Sequence, residues 1–341
     1  MVICSHILLE VGMTIAQVAL DYSRPIQPLF EQASPRIGAI HSVFHKALNI
    51  AAGDTMLALL SSELPRVPNG VRLPAPIIEK LSRDLRPGME VWIGDGRFHV
   101  PGLDFTLRLP QKVAWEPRPD IVAHHWCRTA VAHHSRLLAQ HLARSPQQDG
   151  LAPLVRPLFL GQPARETPLA KMALPLLRLL VYASWQRDVA GVEEAARGLA
   201  GLGPGLTPSG DDTLGGFAGV LALLSAQLSV DAVPCNHLAS IVVNAARPRT
   251  TKLSVTLLEH AARGEMAEQV GELLTALALP VEESEAVLQA ADRVLAYGAC
   301  SGGDTLLGLL LGLRAVGIED CIDYIGEDDG HTGATQAEYL L

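Results

Sequence analysis

Charge and aromatic side chains are both scarce in this chain of 341 residues: 18% are charged and only 4% are Phe, Trp or Tyr. With so few rings available, the core must be filled by Leu, Ala and Val, which favours packed helices over a sandwich or barrel. Basic residues are few as well, 27 against 36 acidic ones, for a formal net charge of −9. They are also scattered. Nucleic acid and an acidic membrane surface are therefore disfavoured as partners of the whole molecule, although a local basic pocket can still hold a small anion. The five cysteines, Cys4, Cys127, Cys235, Cys300 and Cys321, form neither a CxxC pair nor a metal-finger spacing. A reduced, cytoplasmic setting is the expectation. Residues 1–20 are apolar but carry His6 and Glu10 and lack a basic leading segment, so no secretory signal is expected. The one long uncharged run, 213–230, is broken by Ser225, Gln227, Ser229 and three glycines and reads as a buried core helix, not a membrane span.

What remains has the texture of an α+β chain: a β-containing N-terminal unit over 1–117, a mostly helical region over 118–325, and a polar, acidic tail over 326–341. Near the N-terminus a strand is expected around 3–11, then helices at 42–52 and 54–62, with His41 and His45 on one helical face. Between 71 and 116, short apolar runs such as Val91-Trp92-Ile93 are punctuated by Gly94-Asp95-Gly96 and two Pro-Gly turns, which is hairpin chemistry. Helical periods follow at 121–144, 169–185, 189–199, 214–228, 237–246, 254–263, 265–278, 282–296 and 304–316. Residues 145–168 look linker-like. His124, His125, His133 and His134 lie on the first of these helices at spacings that do not converge on a metal, and read as surface residues.

One motif occurs twice. Ser209-Gly210-Asp211-Asp212-Thr213-Leu214-Gly215-Gly216 and Ser301-Gly302-Gly303-Asp304-Thr305-Leu306-Leu307-Gly308 agree at six of eight positions, 92 residues apart, and each opens an uncharged helix. Ser followed three residues later by Asp is a capping-box pattern, with Ser209 or Ser301 as N-cap and Asp212 or Asp304 bonding back. The glycines at 216, 219, 308 and 312 would then let buried helices approach closely.

Three features go beyond capping. Upstream of the first copy, Gly201-Leu202-Gly203-Pro204-Gly205-Leu206-Thr207-Pro208 is a loop that can bring bare backbone close to a ligand at a helix N-terminus. Asp211 has no counterpart in the second copy, where Gly303 stands. Arg247, Arg249 and Lys252 with Thr250, Thr251 and Ser254 put three cations and three hydroxyls into eight residues, a set suited to an oxyanion. Cys300 precedes the second copy at a helix start, where a thiol can be activated, although a small buried hydrophobe is the plainer role.

The 201–212 string, the Thr-Thr-x-x-Ser of 250–254 with Ala261, Ala262 and Gly264, and the late Ser301-Gly302-x-Asp304-Thr305-Leu306 resemble the AllH-like family, formerly a domain of unknown function. His41-Ser42-Val43-Phe44 and Asn49 belong to the same resemblance, which runs from about 40 to 315. At 298–304 the family pattern has His after the Gly and an aromatic before the Asp; here Ala299 and Gly303 stand instead, which points to a substrate other than oxamate if those side chains touch it. The resemblance implies a subunit of an oxamate carbamoyltransferase in anaerobic allantoin (purine) breakdown. Such an enzyme moves a carbamoyl group between carbamoyl phosphate and an amide-bearing oxo-acid, with partner subunits of which one is similar to acyl-CoA synthetases.

The residues are compatible with that chemistry. Gly203, Gly205, Thr207, Ser209, Gly210, Arg249, Thr250, Thr251, Lys252, Ser254, Ser301 and Gly302 are the expected substrate-binding set, and Asp211, Asp212 and Asp304 the candidate catalytic acids. Two other readings use the same residues. Asp211, Asp212 and Asp304 with the Thr213 and Thr305 hydroxyls could hold Mg²⁺ for hydrolysis of a phosphorylated or ribosylated ligand, loosely similar to ADP-ribosylglycohydrolases. Alternatively the chain is a non-catalytic, anion-binding subunit of a larger complex.

Overall fold

The computed structural model describes residues 15–103, 105–111, 113–121, 126–146, 149–228 and 236–318. The expected strand at 3–11, His124 and His125, Cys4, Cys235 and Cys321, and the tail at 326–341 lie outside them.

Ten strands form one mixed sheet: β1 (Ile15–Val18), β2 (Asp21–Ser23), β3 (Arg36–Val43), β4 (Ala47–Ala52), β5 (Thr55–Ser61), β6 (Gly70–Leu73), β7 (Glu90–Gly94), β8 (Arg97–Val100), β9 (Phe105–Arg108) and β10 (Ala114–Trp115). Their order is β1-β9-β8-β7-β3-β4-β5-β6-β2-β10. The β7–β8 hairpin turns on Asp95 and Gly96, both at positive φ (50° and 71°), as the Gly-Asp-Gly signal requires. Helices α1 (Gln27–Glu31) and α2 (Ala75–Asp84) accompany the sheet. Ile78 and Leu81 of α2 pack with Leu57, Leu59, Val71 and Phe98 of the strands in one core.

The expected helices at 42–52 and 54–62 are strands β3, β4 and β5. His41 consequently lies on β3 and His45 in the turn after it, not on a shared helical face. The cause is burial on both faces. Along β5, Leu57 and Leu59 point into the sheet's own core, while Ala58 and Leu60 pack with Val67 and Ala267, the last from the helical region. A strand covered on both sides loses polar alternation and cannot be told from a buried helix by its pattern.

The helical region contains α3 (Arg128–Arg144), α4 (Val155–Phe159), α5 (Pro168–Gln186), α6 (Val189–Leu199), α7 (Ser209–Leu228), α8 (Asn236–Ala246), α9 (Lys252–Ala262), α10 (Glu268–Ala276), α11 (Ser284–Leu295) and α12 (Ser301–Ala315). The architecture is thus α+β in the expected order. The stretch read as a linker instead enters the core: Leu151 and Val155 are fully buried. His134 is likewise buried, not on the surface; its Nδ1 lies 3.2 Å from the Leu277 carbonyl and burial lowers its pKa. No helix among the described residues is long and apolar enough to cross a membrane.

At the centre α7 and α12 run parallel. Parallel alignment follows from their contacts, because Gly308 meets Thr213 and Phe217 while Gly312, one turn on, meets Phe217 and Val220. Gly219, by contrast, faces Met266 rather than α12. Beyond their first turns the two helices carry a single charge, Arg314 near the end of α12, and both are wrapped by apolar neighbours, which is the solution for a helix hydrophobic all round. The sheet is tied to α10 by Arg66, whose side chain pairs with both Asp21 and Glu268. The Glu268 amide also donates to the Arg66 carbonyl, and the Arg66 amide to the Glu268 carboxylate, each at 3.0 Å.

Candidate functional site

Parallel packing brings the two copies of the motif together at the heads of α7 and α12. Ser209 Oγ lies 3.7 Å from Cys300 Sγ, and Thr207 Oγ1 lies 3.5 Å from Ser301 Oγ. The two copies are related by local equivalence as well as sequence. A Cβ on Gly216 would sit 3.0 Å from Leu309 N, and one on Gly308 would sit 3.0 Å from Phe217 N, the matching positions of the opposite helix. Gly210 and Gly302 each press against a carbonyl of the preceding helix, that of Leu199 and that of Val294 respectively. Side chains at these four positions would drive the helices apart.

The capping boxes are not made within each helix. The Asp212 amide donates to the Pro208 carbonyl and the Asp304 amide to Cys300, and α12 has no side-chain cap. Hydroxyls act across the two copies instead: Ser301 acts on the Asp212 carboxyl, together with Thr207 from the loop before α7, and Ser209 acts on Asp304. Asp304 is fully buried and its Oδ1 accepts from the amides of Leu151 (2.6 Å) and Ala152 (3.0 Å), while Oδ2 has no partner. Burial pushes its pKa up to about 6 against those donors. Burial also raises Asp212 well above the ordinary carboxylate range, with the Asp304 charge adding to it, and its Oδ2 is also buried without a partner. Two acids so placed cannot both ionise comfortably, which disfavours the charged form of Asp212.

Asp211 has a different position. Its carboxylate accepts from the Gly201 amide at 2.9 Å and from the Thr250 hydroxyl, and so pins the start of the Gly-rich loop. The Thr-Thr-x-x-Ser segment holds the far end of the same loop. Thr251, the N-cap of α9, donates to the Leu206 carbonyl at 2.7 Å, and Ser254 lies 3.5 Å from the same oxygen. Of the nearby cations, Lys252 reaches the Gly53 carbonyl in the β4–β5 turn, Arg247 pairs with Glu259, and Arg249 is exposed beside the loop. Backbone amides at the helix heads are also engaged, Gly210 with Leu202 and Gly302 with Tyr297. Gly203 and Gly205 adopt positive φ (113° and 103°), and nothing stands within 4 Å of where a Gly205 Cβ would be. The open part of the loop is therefore the stretch around Gly205, leading to Thr207.

A cavity of about 100 Å³ opens beside Thr207, lined at its polar end by Asp211, Asp212, Gly302, Thr305 and Tyr297. Leu257, Leu258 and Met266 line its apolar side, and Val67 and Pro68 of the sheet region close it. Tyr297 is 43% exposed, yet burial and the Asp212 charge raise the pKa of its hydroxyl. Burial and Asp304 likewise raise the Cys300 thiol, which is not activated by its helix. Among the described residues no three His, Cys, Asp or Glu side chains converge as metal ligands, because Asp211 turns to the loop. Sequence reasoning missed two members of the site. Tyr297 stands four residues before Ser301 and was within reach of the motif; Gln269 has no local signal at all.

Two buried acids and crossed hydroxyls at the joint head of two helices, closed by the sheet region, define a pocket on the scale of a small molecule. Comparison with known families places the chain: residues 199–313 match the family described as oxamate carbamoyltransferase subunit AllH, and residues 17–113 match the AllH family N-terminal domain. The chain belongs to the AllH family. Its family name is that of a carbamoyltransferase subunit, which implies partner subunits. No solved structure matches it.

Proposed function

We propose that this chain is a subunit of an oxamate carbamoyltransferase-like enzyme that binds carbamoyl phosphate, or a similar small anion, at the heads of α7 and α12 and supports carbamoyl transfer to an amide-bearing oxo-acid. The observation that carries this reading is the meeting of the two motif heads, Thr207 with Ser301 and Ser209 with Cys300, next to the open Gly205 turn and the cavity that Thr207 lines. The oxyanion end of the ligand is met by the 203–207 loop, the three hydroxyls and the positive ends of two helix dipoles. Burial favours this, since Asp212 and Asp304 raised in pKa repel an anion less than ionised acids do. Thr250, Thr251, Ser254 and Asp211 act one layer back, holding the loop in shape. No nucleophilic side chain is needed, because the acceptor's own nitrogen attacks the carbamoyl carbon. The partner subunits, one of them acyl-CoA-synthetase-like, supply what this chain lacks.

Isothermal titration of the full chain with carbamoyl phosphate tests the reading. Gly205→Val forces a β-branched residue to φ 103° without a steric clash, and binding should fall at least tenfold while the fold persists. Equal affinity in wild type and variant sinks the loop's part in it. Absence of any binding by the wild-type chain sinks the anion site.

A further inference from the structure

One side chain of the cavity wall carries a polar atom that the fold does not use. Gln269, at the start of α10, is 3% exposed, lines the cavity, and its Oε1 has no hydrogen-bond partner. The Asp212 Oδ2 in the same cavity is also without one. An orphaned polar atom in a protein interior costs stability and is retained where a ligand or water completes it. Two of them on residues that line one space, on the scale of a few heavy atoms, point to a ligand with matching groups.

We infer that Asp212 and Gln269 form a carboxamide-recognition pocket, with the Gln269 Oε1 accepting from an amide N–H₂ and the Asp212 carboxyl donating to the amide oxygen. The donor assignment agrees with the burial that disfavours the charged form of Asp212, since a protonated carboxyl offers an O–H. A carboxylate ligand would present acceptors to the Gln269 oxygen and a charge to an acidic wall; a methyl ketone would accept from the Asp212 carboxyl but leave the Gln269 oxygen without a donor. A primary amide satisfies both ends. The apolar side formed by Leu257, Leu258 and Met266 excludes the water that would otherwise compete.

This assignment rests on the carbamoyl reading for the identity of the ligand, and two probe pairs separate their failures. Carbamoyl phosphate and acetyl phosphate share the phosphate and differ by amide against methyl; oxamate and oxalate differ by amide against carboxylate. Titrated against the full chain, the amide member of each pair that binds should be tighter by tenfold or more. Gln269→Leu should reduce that ratio to near one, leave acetyl phosphate affinity unchanged, and not lower the melting temperature, because the glutamine oxygen has no partner to lose. Asp212→Asn keeps the shape and a donor and should retain the preference. If neither phosphate binds but oxamate is preferred over oxalate and Gln269→Leu abolishes the preference, the pocket stands and the carbamoyl phosphate reading falls. The pocket itself is overturned if wild type discriminates in neither pair, if the preference survives in Gln269→Leu, or if Asp212→Asn abolishes it.

Discussion

Gly215 and Gly216 are neighbours in one helix, and methylating them should move stability in opposite directions. At Gly215 an added Cβ meets nothing closer than Leu258 Cδ2 at 4.0 Å, an ordinary contact. Alanine there should stabilise by about 1 kcal/mol, the helix-propensity difference between Gly and Ala. At Gly216 the same methyl overlaps the Thr305 carbonyl oxygen and stands 3.1 Å from its carbon and 3.0 Å from Leu309 N, all backbone. Comfortable carbon contacts begin at about 3.5 Å, and backbone in a packed helix cannot rotate away. The helices must separate, at an overpacking cost of roughly 1–3 kcal/mol, with this site at the upper end because the obstacle is rigid. After the propensity gain is deducted, Gly216→Ala should destabilise by about 2 kcal/mol, or roughly 4–8 °C in melting temperature if unfolding is cooperative. Gly308→Ala should behave alike, and the double variant should cost less than the sum, since one separation accommodates both methyls. Urea and thermal unfolding of the four variants measure this. A neutral or stabilising Gly216→Ala would refute the close parallel approach of α7 and α12 on which the shared site depends.

Asp304 predicts a pH dependence whose sign is opposite to that of a salt-bridged acid. Burial raises its pKa from 3.8 to about 6, so the folded state prefers the proton; its contribution is greatest below pH 4 and is lost as pH rises through 6, to the extent of about 3 kcal/mol. Asp304→Asn keeps an oxygen for the Leu151 and Ala152 amides and should flatten the stability profile between pH 4 and 6; an unchanged slope would rule Asp304 out as its source. Thr250→Val removes one of two donors from Asp211, a residue only 3% exposed, and should cost about 1–3 kcal/mol and speed proteolysis within the 201–208 loop. A loss below about 0.5 kcal/mol would show that the loop is held by other means.

Legibility differed between the two parts of the chain. The helices from 168 onward follow from periodicity, α6 being Val189–Leu199 as expected, while α7 and α12 begin five and three residues before the expected 214 and 304. The strands β4 and β5 were hidden, because Ala and Leu on both faces are as compatible with a helix, and the covering partner, Ala267, is two hundred residues away. At the site, the doubled motif and its glycines announced themselves. The hydroxyls of 250–254 did not show that their acceptors would be Asp211 and Leu206, since a hydroxyl suited to an oxyanion is equally suited to a backbone carbonyl.

Local sequence by itself determined where the buried helices begin, that each opens on a hydroxyl and an acid, and which positions carry no side chain. Those are short-range properties of capping, charge and glycine. Tertiary structure alone decided which hydroxyl serves which acid. Once Gly216 and Gly308 let the two backbones meet in parallel, Ser301 acts on Asp212 and Ser209 on Asp304, each from the other copy. The same burial removes water from the carboxyls and so raises the pKa of two ordinary N-terminal acids, of which Asp212 lines the pocket.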